Sequence, residues 1–216
     1  MLSLHRDKGA KFMGRELLTL AITHKVIQDN YSVICFDFDK DQIIPLELNR
    51  TDIEGRKGIY FDIGAVTALE GLREVEINYP VGEKKLLKYL SREEIKAVLN
   101  RKRINIERFY RFQENNHYSI IKGSKITGLG IQSIVNSEIL PTVSFMSDGI
   151  SKKNVYINDY RWVQFIRNIP EANRVESLKQ YETFLRKNEK EIFFIMNKTR
   201  RSNGAEFVYI LGMHYL

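Results

Sequence analysis

Between Lys84 and Lys125 lie twelve basic residues and four acidic ones, so this stretch holds a formal charge of +8. The rest of the chain, with 22 basic and 23 acidic residues, holds −1, and the net charge of +7 therefore sits in about one fifth of the 216 residues. Lysines and arginines clustered in this way displace counterions from a polyanion and bind it in a salt-dependent manner. Arg92, Lys96, Arg101, Lys102, Arg103, Arg108, Arg111, Lys122 and Lys125 are the candidate nucleic-acid contacts. The run Lys198-Thr199-Arg200-Arg201 adds Arg200 and Arg201 as a second candidate contact. Phe109, Tyr110, Phe112 and Tyr118 interleave with Arg108 and Arg111. Rings alternating with cations can grip single strands by stacking, and core packing competes for the same rings.

A second constellation is acidic: Glu16, then Asp37 and Asp39 at a turn, then Glu47-Leu48-Asn49. A helix bearing Glu, followed by a hairpin bearing Asp and then Glu-x-Lys, is the layout of PD-(D/E)xK nucleases, which this region resembles over residues 11 to 65. The resemblance implies Glu16, Asp37, Asp39 and Glu47 as catalytic candidates. Asp37, Asp39 and Glu47 would hold Mg²⁺, a hard ion that takes oxygen ligands and activates water for attack on a phosphodiester. Asn49 stands where that family has its lysine, with Arg50 next to it. The alternative is a pair of solvent-facing hairpin acids. The run Val33-Ile34-Cys35-Phe36-Asp37-Phe38-Asp39 also resembles the first motif of haloacid-dehalogenase-type phosphatases, which would make Asp37 a nucleophile and Asp39 a general acid. Asp41 departs from that motif, and Ser147-Asp148-Gly149 with Lys152 is its faint distal counterpart.

The elements that must position these residues read as α+β, with mixed or antiparallel sheets of short strands and several helices. Apolar residues at three- and four-residue spacing predict a helix from about Lys11 to Asp29, carrying Glu16 and His24. Tyr31–Phe38 and Ile43–Leu48 predict a β-hairpin around Asp39-Lys40-Asp41-Gln42, with Pro45 suited to an edge strand. Gly58–Ile63 and Glu70–Tyr79 predict two more strands, and Glu83–Leu90 a helix. Ser91 with Glu94 three residues on is a capping box for a helix whose buried face is Ile95, Val98 and Leu99. Asn105 caps a further helix to about Gln113. His117–Ile121 and Lys125–Thr127 predict a hairpin around Gly123-Ser124. Gly128-Leu129-Gly130 reads as a break, Leu140–Met146 and Val155–Ile157 as strands, and Val175–Asn188 as a helix. Glu191–Met196 and Glu206–Leu211 predict paired strands.

In the basic segment the order helix, turn, helix, hairpin resembles a winged helix-turn-helix. That resemblance implies a recognition helix in the DNA major groove, with Lys122 and Lys125 on a wing against phosphate. The domain expectation is three regions, 1–80, 81–128 and 129–216, which can form one compact unit.

Composition excludes other classes. The single cysteine, Cys35, permits no internal disulfide and no thiolate zinc site, and its apolar surroundings predict a buried small hydrophobe. The four histidines have no shared spacing for a metal. No apolar run reaches the roughly 20 residues that span a bilayer, and no secretory h-region follows Met1. No P-loop, GxGxxG, HExxH or Gly-x-Ser-x-Gly occurs. The expectation is a cytoplasmic protein without a membrane partner that binds nucleic acid, DNA before RNA, in a regulatory or accessory role and without a cofactor. The first alternative is a Mg²⁺-dependent phosphodiester hydrolase. The second is an interaction factor whose basic face meets an acidic protein partner, and a homodimer stays open.

Overall fold

The computed structural model describes residues 14–25, 30–49, 60–73, 79–80, 82–114, 117–133, 139–187, 191–200 and 204–216. Two sheets and four α-helices make up the described part, a mixed α+β fold dominated by strands. The first sheet has five antiparallel strands in the order β3-β2-β1-β4-β7. These are β1 (Arg15–Lys25), β2 (Asn30–Asp37), β3 (Gln42–Asn49), β4 (Ala65–Leu69) and β7 (Lys84–Tyr89). A two-stranded ribbon, β5 (Leu72–Arg73) with β6 (Tyr79–Pro80), lies between β4 and β7 in the chain.

The expected helix over residues 11–29 is strand β1 wherever it is described. Leu17, Leu18, Leu20, Ala21 and Ile22 are all buried. A strand covered on both faces is apolar at nearly every position, and a continuous apolar run also satisfies helical spacing. The β2–β3 hairpin forms as expected, with Asp37 opposite Gln42, and Pro45 does lie on the edge strand. Asp41 takes a left-handed φ of 54° in its turn, a conformation Asp tolerates better than most residues. Residues 60–64 are turn rather than the expected strand, and the strand follows as β4. The expected helix over 83–90 is instead β7, in register with β4.

The second sheet has seven strands in the order β10-β11-β12-β14-β13-β9-β8. Its members are β8 (Arg103–Ile104), β9 (His117–Gly123), β10 (Lys125–Ser133), β11 (Ile139–Ser147), β12 (Ile150–Ile157), β13 (Ile192–Arg200) and β14 (Glu206–Tyr215). The pairs β12–β14 and β8–β9 are parallel, so this sheet is mixed. The expected hairpin of β9 with β10 does not form. β9 pairs with β8 and β13, and β10 pairs with β11. Among the described residues there is no wing, and Arg103-Ile104 between the two basic helices is itself a strand of the sheet. The winged-helix expectation is thereby corrected: β9 lies between β8 and β13, with Ile120 in one core beside Phe193 and Ile195 and Ile121 in another beside Phe194. Gly128 to Gly130, expected as a break, run inside β10 just after a bulge at Ile126/Gly128.

The capping box holds. The Ser91 hydroxyl accepts from Glu94 N, and the Glu94 carboxylate accepts from Ser91 N, opening α1 (Arg92–Lys102) with Val98 and Leu99 buried. Asn105 caps α2 (Ile106–Arg111), and Ile106 and Phe109 fix it to the sheet. Helix α3 (Tyr160–Asn168) was missed in the sequence; Asp159 caps it through Arg161 N. Helix α4 (Arg174–Lys187) follows as expected.

The sheets meet where β1 crosses β14. Leu18, Leu20, Ile34 and Phe36 pack with Leu99, Ile120, Phe193, Ile195 and Leu211 in a shared core. Gly212 permits this approach, since a Cβ there would stand 2.7 Å from Ala21 Cβ and 3.1 Å from Leu20 O. A second core lies under α2, α3 and α4, and a third covers the far face of the first sheet. Among the described residues no helix is long and apolar enough to cross a membrane.

Candidate nucleic-acid interface

The acidic constellation is not brought together. Leu17 pairs with Asp37 across the strands, so Glu16, one residue earlier, points to the opposite face. Glu47 pairs with Ser32, five residues along β2 from Asp37, a separation of about 17 Å at strand rise. Asp37 is fully buried and occupied: Arg15 Nε donates to it at 2.8 Å, a second Arg15 nitrogen pairs with it, and its Oδ1 accepts from Asp39 N and Lys40 N. It ties the hairpin turn to β1. Asp39 is exposed and receives Glu16 N at 3.4 Å. Glu47 is buried near Tyr118, whose hydroxyl pKa is raised by burial and then by the Glu47 charge. Among the described residues no group of three or more His, Cys, Asp or Glu could hold a metal. The phosphatase resemblance goes no further: Asp37 and Asp39 sit at the turn of an antiparallel hairpin, with Asp37 taken by Arg15. Asp148 of its distal motif instead accepts from Ile106 N at 3.2 Å.

Cys35 lies at 0% exposure, and burial pushes its thiol up to about 12. It is a core residue, as expected, and inert as a nucleophile.

The basic candidates divide sharply. Glu191, from the segment before β13, takes Lys96 at 2.8 Å and also Lys122, and those hydrogen bonds hold its carboxyl down at about 2. Asp41 at the hairpin tip takes Lys102, which lowers its pKa, and approaches Arg101 at 3.5 Å. Arg101 and Lys102 also stand 5.6 Å from the Phe36 ring centre. Arg111 pairs with Glu107 one turn away, and Arg92 donates to Tyr215 O. Arg200 and Lys198 share Glu206, whose carboxyl they lower. Arg201 lies outside the described residues. Four cations of the segment are thus held by Asp41 and Glu191, acids that the sequence places far from it.

Apart from Lys85, exposed on β7, what remains lies around α2. Arg103 precedes it, Arg108 projects from it with its guanidinium 5.8 Å from the Phe112 ring, and Lys125 opens β10. Among the described residues none of the three has a carboxylate partner. Lys152 on β12 places Nζ 3.6 Å over the Tyr110 ring, and Lys153 beside it is exposed. Lys152 and Lys153 were missed as contacts; a strand was expected only from Val155, so this pair lay outside any element. The usable signal was Asp148-Gly149, whose φ values of 49° and 79° make the two-residue hairpin turn typical of Asp-Gly. Extending β12 back to that turn places both lysines on it. The buried Lys198 anchors the C-terminal end of α2 by donating to Tyr110 O and Phe112 O at 3.0 and 2.7 Å. Of the four interleaved rings Phe109 is core, while Tyr110, Phe112 and Tyr118 are half-buried.

Among the described residues, cavities open elsewhere as well. One of about 370 Å³ lies at the hairpin tip between Asp41, Lys102, Glu114, His117 and Tyr118. Another, of about 470 Å³, is walled by Trp162, Phe165, Tyr181 and the end of β14.

No family model matches this chain, and no curated protein matches it. Among solved structures, one described as the tetrameric p202 HIN2 is similar at a TM-score of 0.44 and 10% identity, with 94% of this chain and 92% of that chain covered.

Proposed function

We propose that the protein binds nucleic acid through the cationic surface of α2, β8 and the start of β12, using Arg103, Arg108, Lys125, Lys152 and Lys153. The observation that carries this reading is the uneven neutralisation of charge: Lys88, Lys96, Arg101, Lys102, Arg111 and Lys122 are tied to carboxylates, and among the described residues Arg103, Arg108 and Lys125, with Lys152 and Lys153 on β12, are not. Cations without a carboxylate partner beside half-buried rings suit a phosphate backbone with partly unstacked bases. The preference for duplex DNA rested on a wing. Without one the reading names a nucleic-acid backbone, and duplex and single strand are arms of the test. The role is binding without chemistry, since the acids are dispersed.

The test measures binding of labelled duplex and single-stranded oligonucleotides across a salt series. Affinity should fall steeply with salt. Changing Arg103, Arg108, Lys152 and Lys153 together to Ala should flatten the slope by about 0.9 per lost phosphate contact on duplex. Lys96→Ala, which only releases Glu191, should change the slope far less. Absence of low-salt binding, or an unchanged slope in the fourfold variant, refutes the assignment.

A further inference from the structure

We propose that the cavity walled by Trp162, Phe165 and Tyr181 is a binding pocket for a nucleobase, held by its uncharged polar edge and stacked on the rings. Its volume of about 470 Å³ lies in the usual range for small-ligand sites, roughly 300–1,000 Å³. Trp162 and Tyr181 meet edge to face at 5.2 Å, and Phe165 lies 5.7 Å from Tyr181. Phe165 also lines the cavity, meets Trp162 edge to face at 6.2 Å and is 40% exposed.

Two polar groups face this apolar space. His214, on β14, is 5% exposed and lines the cavity. Its Nε2 is 2.7 Å from Leu20 O. A carbonyl oxygen only accepts, so Nε2 carries the proton and Nδ1 is a bare acceptor. Nδ1 has no partner among the described residues. Burial holds this imidazole neutral, with its pKa down at about 4, so the acceptor persists at neutral pH.

Arg161 supplies the donor. Its Nε and one Nη bond Asp159 at 3.1 and 2.7 Å, and that Nη also reaches Met213 O at 3.2 Å. The other Nη has two N–H groups without a partner among the described residues. Asp159, fully buried, cancels the guanidinium charge. The pocket therefore offers a donor and an acceptor in a nearly neutral, ring-walled space. A phosphate or carboxylate would gain little there. A planar ring with a carbonyl and an N–H on one edge matches both groups, and nucleobases have that edge. The base could come from a free nucleoside or from an unpaired position in a strand.

The proposal stands on the cavity and not on the cationic surface around α2. The chain has one tryptophan, so the indole N–H resonance of Trp162 in isotope-labelled protein reports on this pocket alone. Adenosine, cytidine, inosine and uridine are titrated first, because they lack phosphate and bypass the cationic surface. Short single-stranded oligonucleotides follow, with heparin as a base-free polyanion. The expected result is a saturable shift with at least one nucleoside that heparin does not reproduce. Phe165→Ala and Phe165→Leu should weaken it roughly tenfold, the loss of one stacking ring. The Leu variant keeps the apolar mouth, and its melting curve guards against unfolding. A shift with oligonucleotides alone, absent with heparin and lost in Phe165→Leu, also supports the pocket and makes the source a strand-borne base. No shift with any of them, a shift heparin reproduces, or a shift Phe165→Leu leaves intact overturns it. Salt-dependent oligonucleotide binding with a silent Trp162 sinks the pocket and keeps the cationic surface; a nucleoside response without such binding does the reverse.

Discussion

Two buried titratable residues show how position redefines chemistry. Asp37 looks like a metal ligand in a list of acids, yet it sits at 0% exposure, paired with Arg15 and receiving two turn amides. Removing one member of a buried pair costs about 3–5 kcal/mol, because the other charge is left uncompensated. Arg15 is partly exposed, which lowers that figure. Asp37→Ala should therefore cost about 2–3 kcal/mol in urea unfolding, whatever it does to function. A soluble, equally stable variant would contradict the structural role. His214 has the opposite logic. Its folded pKa, about 4, lies below the roughly 6.5 of an exposed imidazole. Between those values the unfolded chain binds the extra proton, so stability rises with pH there. The contribution of His214 is complete above about pH 6.5 and is lost as pH falls toward 4. The expected loss is on the order of 2–3 kcal/mol. His214→Gln should flatten this part of the stability–pH curve, and an unchanged curve would remove His214 as its source.

At the scale of elements, local signals were legible where the partner is a sequence neighbour. The capping box of α1, the Asn105 cap of α2, the β2–β3 hairpin and the β13–β14 pair all close within a few residues of their own turn. Ser91→Ala should cost about 1 kcal/mol by removing one cap, measured as a lowered melting temperature; no change would mean that tertiary contacts alone hold α1. The strands misread as helices, β1 and β7, failed for different reasons. β1 is buried on both faces, which erases the alternation that marks a strand. β7 is charged and half-exposed, Lys84-Lys85-Leu86-Leu87-Lys88-Tyr89, and helix-forming lysines and leucines gave it a helical reading that pairing with β4 overrode. The expected β9–β10 hairpin failed because a Gly-Ser pair can also end one strand and begin another in a different part of the sheet.

At the scale of the whole molecule, the two sheets share a core where β1 lies on β14. Gly212 marks that contact. Gly212→Ala forces a Cβ against Ala21 and the Leu20 carbonyl, and backbone does not yield as a flexible side chain would. A loss of about 1–3 kcal/mol is expected, lowering the whole unfolding transition. If the sheets were independent, only one of two transitions would move.

The sequence by itself determined the charge segregation, the exclusion of an internal disulfide and a thiolate zinc site, the α+β class and the caps that begin α1 and α2. Those depend on composition or on residues a few positions apart. Only the tertiary structure decided which cations stay free. Asp41 reaches Lys102 over 61 positions and Glu191 reaches Lys122 over 69, and no local pattern encodes such meetings. The same holds for the dispersal of the acids: strand register sent Glu16 and Glu47 to the face opposite Asp37. The cavity, too, exists only where β14, α3 and α4 converge. Burial of apolar surface is non-directional and long-range in sequence, so it chooses strand partners that propensity cannot name, and the placement of every charge follows from that choice.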